Sequence, residues 1–358
     1  MSDLDRYLKA CVEANGSDLH LKVGQPPYIR VNGELTPIKK ATRLTEQELE
    51  TIASEILPER LESLYESSGG ADFAHLVEGL GRFRVNVFKQ RGMTGIVFRR
   101  VVPVPPVIDS LHLPEAVKRL ATEPRGLVLV TGPTGSGKST TCAAMINQIN
   151  SSRPCTIVTL EDPIEIMHTD KKALVNQREI GTDTASFVTG LKHVLRQDPD
   201  VIFIGEMRDQ ETVWAALSAA ETGHFVISTL HTTDAVETVN RIVELFPAER
   251  QAQIRHSLAG ALKGIVCQRL LARKDGTGRV PAVEVLVANG RVYDAIVDPA
   301  ETRTIPEIIA EGDFYGMQTF DQHLLEMFEA GTISMEEALH ASSSPHDLRL
   351  AMRKAGVA

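Results

Sequence analysis

Residues 132–140 read GPTGSGKST: three glycines, one lysine and four hydroxyl side chains in nine positions, close behind the apolar run GLVLV. The spacing Gly132-x-x-x-x-Gly137-Lys138-Ser139 between an apolar run and a helical segment, STTCAAMINQIN, is that of a Walker A loop. Glycines let the backbone turn tightly and aim its N–H groups at phosphate oxygens, and the start of the following helix adds partial positive charge. The stretch Gly132, Pro133, Thr134, Gly135, Ser136, Gly137, Lys138, Ser139 and Thr140 is therefore expected to bind ATP. Lys138 would reach the β- and γ-phosphates, Ser139 would offer its hydroxyl to Mg²⁺, and Thr140 would stand near the α-phosphate.

Acids and histidines suited to phosphoryl transfer follow further apolar runs. TIVTLEDPIE delivers Glu161 and Asp162, VIFIGEMRD delivers Glu206, and FVISTLHTTDA delivers Thr229 and His231. Gly205 occupies the position where a Walker B segment normally carries aspartate, so the usual Mg²⁺ carboxylate is displaced. The metal would be held by Ser139, with Glu206 or Glu161 acting through water. Glu206 is read as the residue that polarises the attacking water and Glu161 as its partner, and the two roles are interchangeable at this stage. A histidine beside the γ-phosphate could sense its presence. His231 fits that role better than His224, at the other end of the same run.

Placing those residues together requires a parallel sheet. GLVLVTG, TIVTLE, VIFIGE and FVISTLH are short continuous apolar runs, as strands buried on both faces are, and helical segments separate them. Ligands of such sheets collect at the carboxyl ends of the strands. SFVTGLKHVLRQ should stop before Asp198-Pro199, and DQETVWAALSAAET at Gly223. QRLLARKDGTGRVPAVEVLV reads as a hairpin around Asp275-Gly276. A helical tail follows, with a capping box at Ser334/Glu337 and a Ser344-Pro345 helix start.

Ahead of this lies a different texture. Residues 4–15 suit a short amphipathic helix, SDLHLKVGQPPYIRVNGELTPI a strand–turn–strand about Asn32-Gly33, and Thr45/Glu48 a capping box opening a helix towards residue 67. GRFRVNVFKQRGMTGIVFRRV alternates around Gly92 and Gly95. The expectation is an α+β domain with an antiparallel sheet over residues 1–100, a proline-stiffened connector without helix over 101–115, and an α/β P-loop domain with C-terminal helices over 116–358.

Composition narrows the class. With 358 residues, 42% hydrophobic and 24% charged, the chain is that of a folded soluble protein. A net charge of −9 without a polybasic run argues against nucleic acid as partner. Cys11, Cys142, Cys155 and Cys267 form no CxxC pair, so neither a zinc site nor a disulfide scaffold is expected. MSDLDRYLKA lacks the apolar core of a signal peptide, and any membrane contact should be peripheral.

The Walker A loop, TLEDPIE, GEMRD and GHFVISTLHTTDA occur in one order that resembles the four boxes of the secretion-ATPase superfamily, and the chain is similar to its type IV pilus retraction ATPases, the PilT/PilU group. GSDLHL (16–21) and GMQTFDQ (316–322) extend the resemblance over nearly the whole length. It implies a PAS-like N-terminal domain, a RecA-like ATPase domain, a homohexamer, and a location at the cytoplasmic face of the inner membrane, where the ring moves a platform protein. It also implies two arginines, fifteen positions apart, that reach the phosphates from the first domain; Arg84 and Arg99 match that spacing, and Arg82 is a neighbour able to substitute. No tetracysteine insertion is present, which favours retraction over extension. Residues 301–312, ETRTIPEIIAEG, replace the motif of the best-known retraction ATPases and lean towards the PilU side, an accessory motor beside a paralogous retraction ATPase. A RecA-like nucleic-acid motor and a nucleotide-binding regulatory ring with little turnover are the competing readings.

Overall fold

The computed structural model describes residues 3–31 and 33–355, and the chain divides between Pro103 and Val104 into two compact units. In the first unit, α1 (Asp3–Glu13) buries Leu4, Leu8 and Cys11 along one face, the spacing of an amphipathic helix. Strands β1 (Asp18–Lys22), β2 (Tyr28–Val31) and β3 (Glu34–Pro37) come next. Gly33 of the β2–β3 turn has φ 89°, and Asn32, its expected partner there, lies outside the described residues. The helix anticipated from Thr45 to about residue 67 is two helices, α2 (Glu46–Ile56) and α3 (Glu59–Ser68). Pro58 is the reason, because it drives Leu57 into extended backbone, ψ 120°. The Thr45/Glu48 capping box forms with both of its hydrogen bonds.

β4 (Gly70–Val77), β5 (Gly81–Gln90) and β6 (Met93–Arg100) complete a six-stranded antiparallel sheet ordered β3-β2-β1-β6-β5-β4. Arg91 and Gly92 both take positive φ, as a tight β5–β6 hairpin requires. Gly95 is not part of that turn. It sits within β6 opposite Phe88, whose ring would lie 2.8 Å from an added Cβ. Phe83, Val85 and Phe98 point inward against Leu49 and Ile52 of α2. A phenyl buried as Phe83 is contributes roughly 3–5 kcal/mol against truncation to alanine.

The second unit opens with proline-rich chain that contains one turn of 3₁₀ helix, Ile108–Leu111, where helix was not expected. Asn147 Nδ2 holds this segment by donating to the Pro106 carbonyl at 3.0 Å. There follow α4 (Glu115–Leu120), β7 (Gly126–Thr131), α5 (Lys138–Ser152), β8 (Thr156–Glu161), β9 (Leu174–Glu179), α6 (Phe187–Val194) and β10 (Val201–Ile204). Next come α7 (Gln210–Glu221), β11 (Phe225–Leu230), α8 (Ala235–Glu244), α9 (Ala248–Ala261) and the hairpin of β12 (Leu262–Ala272) with β13 (Arg279–Val287). The sheet runs β13-β12-β7-β11-β10-β8-β9, parallel except for β13. Every residue of β7, β10 and β11 is buried, because helices cover both faces. α6 ends at Val194, earlier than the Asp198-Pro199 stop, while α7 closes just before Gly223, whose φ is 107°.

The tail comprises α10 (Gly290–Val297), α11 (Ile305–Ala310), α12 (Phe320–Glu329), α13 (Met335–Ala341) and α14 (Pro345–Lys354). It also seals the sheet edge: Gln318 bridges to Val285, and His323 Nδ1 accepts the Val283 N–H at 3.0 Å. Two cap expectations are revised. Ser334 accepts from the Glu337 N–H, but the Glu337 carboxylate turns away to accept the Ala272 N–H of β12, so the box closes on the sheet. The Ser344 hydroxyl donates to Asp347 and caps no backbone group. Among the described residues no helix is long and apolar enough to cross a membrane.

Candidate functional site

Where β7 ends, the chain turns through Gly132 (φ 142°), Gly135 (φ 80°) and Gly137 (φ 94°) before α5 begins at Lys138. These positive values are costly for residues with a Cβ, which is why glycine stands there. Lys138 is buried and folded back on its own loop, its Nζ donating to the carbonyls of Gly132 at 2.8 Å and Pro133 at 3.1 Å. Burial lowers its pKa, and the nearby Glu206 charge opposes that shift. Thr134, Gly135, Gly137, Lys138, Ser139 and Thr140 line a cavity of about 560 Å³.

The ends of β8, β10 and β11 face the same cavity. Register places Leu160, Ile204 and Ser228 on one rung, so the residues that follow emerge side by side. Glu161, Glu206, Thr229 and His231 all line the cavity with Lys138. Gly205, in the place of the missing aspartate, is pressed between strands: its N–H donates to Leu160, its carbonyl accepts from Thr229 Oγ1 at 2.6 Å, and an added Cβ would lie 3.2 Å from the Leu160 carbonyl oxygen. A larger side chain would crowd β8 there.

Glu206 is held by two groups. Arg208 Nη2 lies 2.7 Å from Oε2 and His231 Nε2 lies 3.2 Å from Oε1. Burial alone would raise its pKa, but Arg208 and His231 outweigh burial and keep the carboxyl below its ordinary value. His231 Nδ1 is 3.5 Å from Lys138 Nζ, so one imidazole spans the lysine and the acid. Glu161 differs. It is 9% exposed, and its Oε1 accepts from Thr159 Oγ1 at 2.7 Å and Gln177 Nε2 at 3.0 Å. Burial nevertheless pushes its pKa up. Of the two acids, Glu206 is the better ionised.

His224 lies before β11, where its Nδ1 is 3.0 Å from the Ala219 carbonyl and 3.2 Å from Thr222 Oγ1, packing against the end of α7. Arg84 and Arg99 belong to the first unit, directly opposite each other on β5 and β6. Arg99 Nε contacts the buried Asp18 at 2.8 Å, and Arg84 stands 3.8 Å from Asp72. Arg82 sits two residues before Arg84, opposite Leu76. Arg208 and Gln177 are not among the site residues expected from the sequence. Arg208 was legible as the cation two places after Glu206; Gln177 was not, because it comes from β9, whose mixed LVNQRE pattern gave no strand signal.

Among the described residues no cluster of three or more acids, histidines or cysteines could alone enclose a metal ion. One hydroxyl and two carboxyl groups lining this cavity are a donor set that suits Mg²⁺. Ser139 would hold it, with Glu206 and Glu161 contributing through water.

Residues 108–328 match the family described as "Type II/IV secretion system protein". The chain belongs to this family. Within the type II/IV secretion system proteins, it is 40% identical to the "Type IV pilus ATPase PilU" of Pseudomonas aeruginosa, over 98% of this chain and 91% of the relative. It is 41% identical to the "Type IV pilus retractation ATPase PilT" of the same organism, over 96% and 99%. A crystal structure described as the pilus retraction motor PilT with bound ADP superposes with a TM-score of 0.89 at 43% identity, covering 98% of this chain and 99% of that one.

Proposed function

We propose that the chain is an ATP-hydrolysing motor that drives type IV pilus retraction. The carrying observation is the single cavity that gathers Lys138 and Ser139 of the phosphate loop with Glu161, Glu206 and His231 from neighbouring strand ends. The near full-length identity to PilU and PilT supplies the biological setting.

In this reading ATP seats its phosphates on the loop N–H groups between Gly132 and Thr140. Lys138 leaves the Gly132 and Pro133 carbonyls for the β- and γ-oxygens. Bound Mg²⁺ would neutralise charge building on those oxygens. Glu206, kept ionised by Arg208 and His231, orients the attacking water and accepts its proton. Glu161, whose carboxyl burial favours in the neutral form, is the supporting partner. His231, between Lys138 and Glu206, responds to the γ-phosphate because both of its neighbours do.

The first unit is read as PAS-like and the second as RecA-like, with domains at 1–100 and 116–358 and a connector between. Arg84 and Arg99 would bring guanidinium groups to the phosphates as the domains close in sequence around a homohexamer. The ring would sit at the cytoplasmic face of the inner membrane against a platform protein, beside a paralogous retraction ATPase in a PilU-like role. Deletion of the gene tests this. Cells should remain piliated and lose retraction, restored by wild type but not by Glu206→Gln; normal twitching in the deletion strain defeats the reading.

A further inference from the structure

Strand β12 takes no part in the chemistry above, yet it runs beside the phosphate loop. It pairs in parallel with β7, and Cys267 is opposite Thr131 at the last shared rung. Gln268 therefore stands one step further on, where β7 has become the loop. The residue is 2% exposed. Nε2 donates to the Ser136 carbonyl at 2.7 Å, and Oε1 accepts from the Thr141 hydroxyl at 2.8 Å. A carbonyl can only accept, so the Ser136 contact fixes which way the amide faces. One rigid amide thus ties the crown of the loop to the first turn of α5, on either side of Lys138 and Ser139.

Two glycines bear the mark of the same residue. A Cβ on Gly132 would run into the backbone carbonyl oxygen of Gln268, and a Cβ on Gly137 would lie 2.6 Å from Gln268 Nε2. Gly135 has open space around it, and only its φ of 80° asks for glycine. Close approach of β12, in addition to phosphate, is thus a reason for glycine at 132 and 137.

We propose that Gln268 is a positioning residue of the phosphate loop, holding Ser136 and Thr141 at the separation that presents Lys138 and Ser139 to a nucleotide. The inference rests on the phosphate-loop reading above. A glycine-rich loop loses much conformational freedom when it orders around phosphate. A side chain that orders it beforehand lowers that cost and so acts on affinity. Gln268 touches no reacting atom, so its loss should change binding far more than the chemical step.

The test uses the full chain, with the Kd for ADP, KM and kcat for ATP, and melting temperature with and without ADP. Gln268→Met keeps the length of the side chain and removes the amide. It should raise Kd and KM roughly tenfold, the scale of losing buried hydrogen bonds, and leave kcat within about threefold. The ADP-induced rise in melting temperature should shrink accordingly. Thr141→Val should act in the same direction and more weakly. The double variant should be no worse than Gln268→Met alone, because both act through one amide. A lower melting temperature with unchanged Kd and KM overturns the proposal, as does a fall in kcat at constant KM, or additive effects. If Gln268→Met fails to fold, Thr141→Val decides, and an unchanged Kd in that variant overturns it. A wild type that binds no ADP defeats the phosphate-loop reading itself, whereas a wild type that binds while both variants behave normally defeats only the clamp.

Discussion

At Glu206, burial and two neighbouring groups pull in opposite directions, and the neighbours prevail. A carboxylate that orients water must be ionised at working pH, and Arg208, which lines the same cavity, favours that state of Glu206. Glu206→Gln should leave the ADP Kd within about threefold and lower kcat by at least roughly 100-fold, the range of a lost general base; turnover like wild type would remove Glu206 from its role. Arg208→Ala should act through pH. Without the guanidinium the Glu206 pKa rises, so the acid limb of the kcat–pH profile should move to higher pH, and a limb that stays in place rules out the coupling. The acids and His231 were legible in the sequence because each follows an apolar run, and Lys138 because of the glycine spacing that leads to it. The Arg208–Glu206–His231 contact was not, since it depends on how a turn folds after β10.

Elements carry a second set of titrations. Glu284 on β13 accepts the Ala235 N–H at 2.9 Å and so pins the start of α8 to the sheet. Burial pushes its pKa up from 4.5 to about 7, with Asp234 adding to the shift and the Ala235 N–H opposing it. A carboxyl raised on folding contributes most below its unfolded pKa, and that contribution is lost as pH rises through about 7. Glu284→Gln keeps an acceptor without the charge. It should melt above wild type at pH 8 and close to it at pH 5, checked by thermal unfolding at both; equal melting at pH 8 contradicts the assignment. His323 on α12 works in the opposite sense. Burial lowers it to about 4, so its contribution is full above pH 6.5 and is lost as pH falls from there towards 4. Most strands of the second unit were readable as unbroken apolar runs. β4 and β9 were missed, because partly exposed strands dilute that signal.

At the scale of the whole molecule, the first unit contributes a row of charge. Its sheet presents a cross-strand row on one face: Arg30 on β2, Asp18 on β1, Arg99 on β6 and Arg84 on β5. Asp18 is 4% exposed and takes the Nε of Arg99, while the Arg99 side chain remains 69% exposed. A buried carboxylate that holds only the inner edge of a guanidinium fixes its direction. If these arginines meet nucleotide phosphates as proposed, Arg84→Ala should still assemble like wild type by size-exclusion chromatography with light scattering. Its kcat should fall about tenfold or more, the scale of a lost charge-stabilising donor. Normal turnover would return Arg84 to an ordinary solvated strand residue.

The sequence by itself determined the central parallel strands, the phosphate loop and the set of acids, because buried strands and glycine-rich turns are written in local residue types. It also showed that Asp is absent at position 205. Only the tertiary structure decided what lies beside it: the Leu160 carbonyl of β8 would be 3.2 Å from a Cβ at Gly205. The same holds for Gly132 and Gly137, which face Gln268 from a strand more than a hundred residues away, and for the difference between Glu161 and Glu206. Two glutamates look alike in a chain. Burial and charged neighbours, which exist only once distant strands are side by side, move the Glu161 pKa up and the Glu206 pKa down.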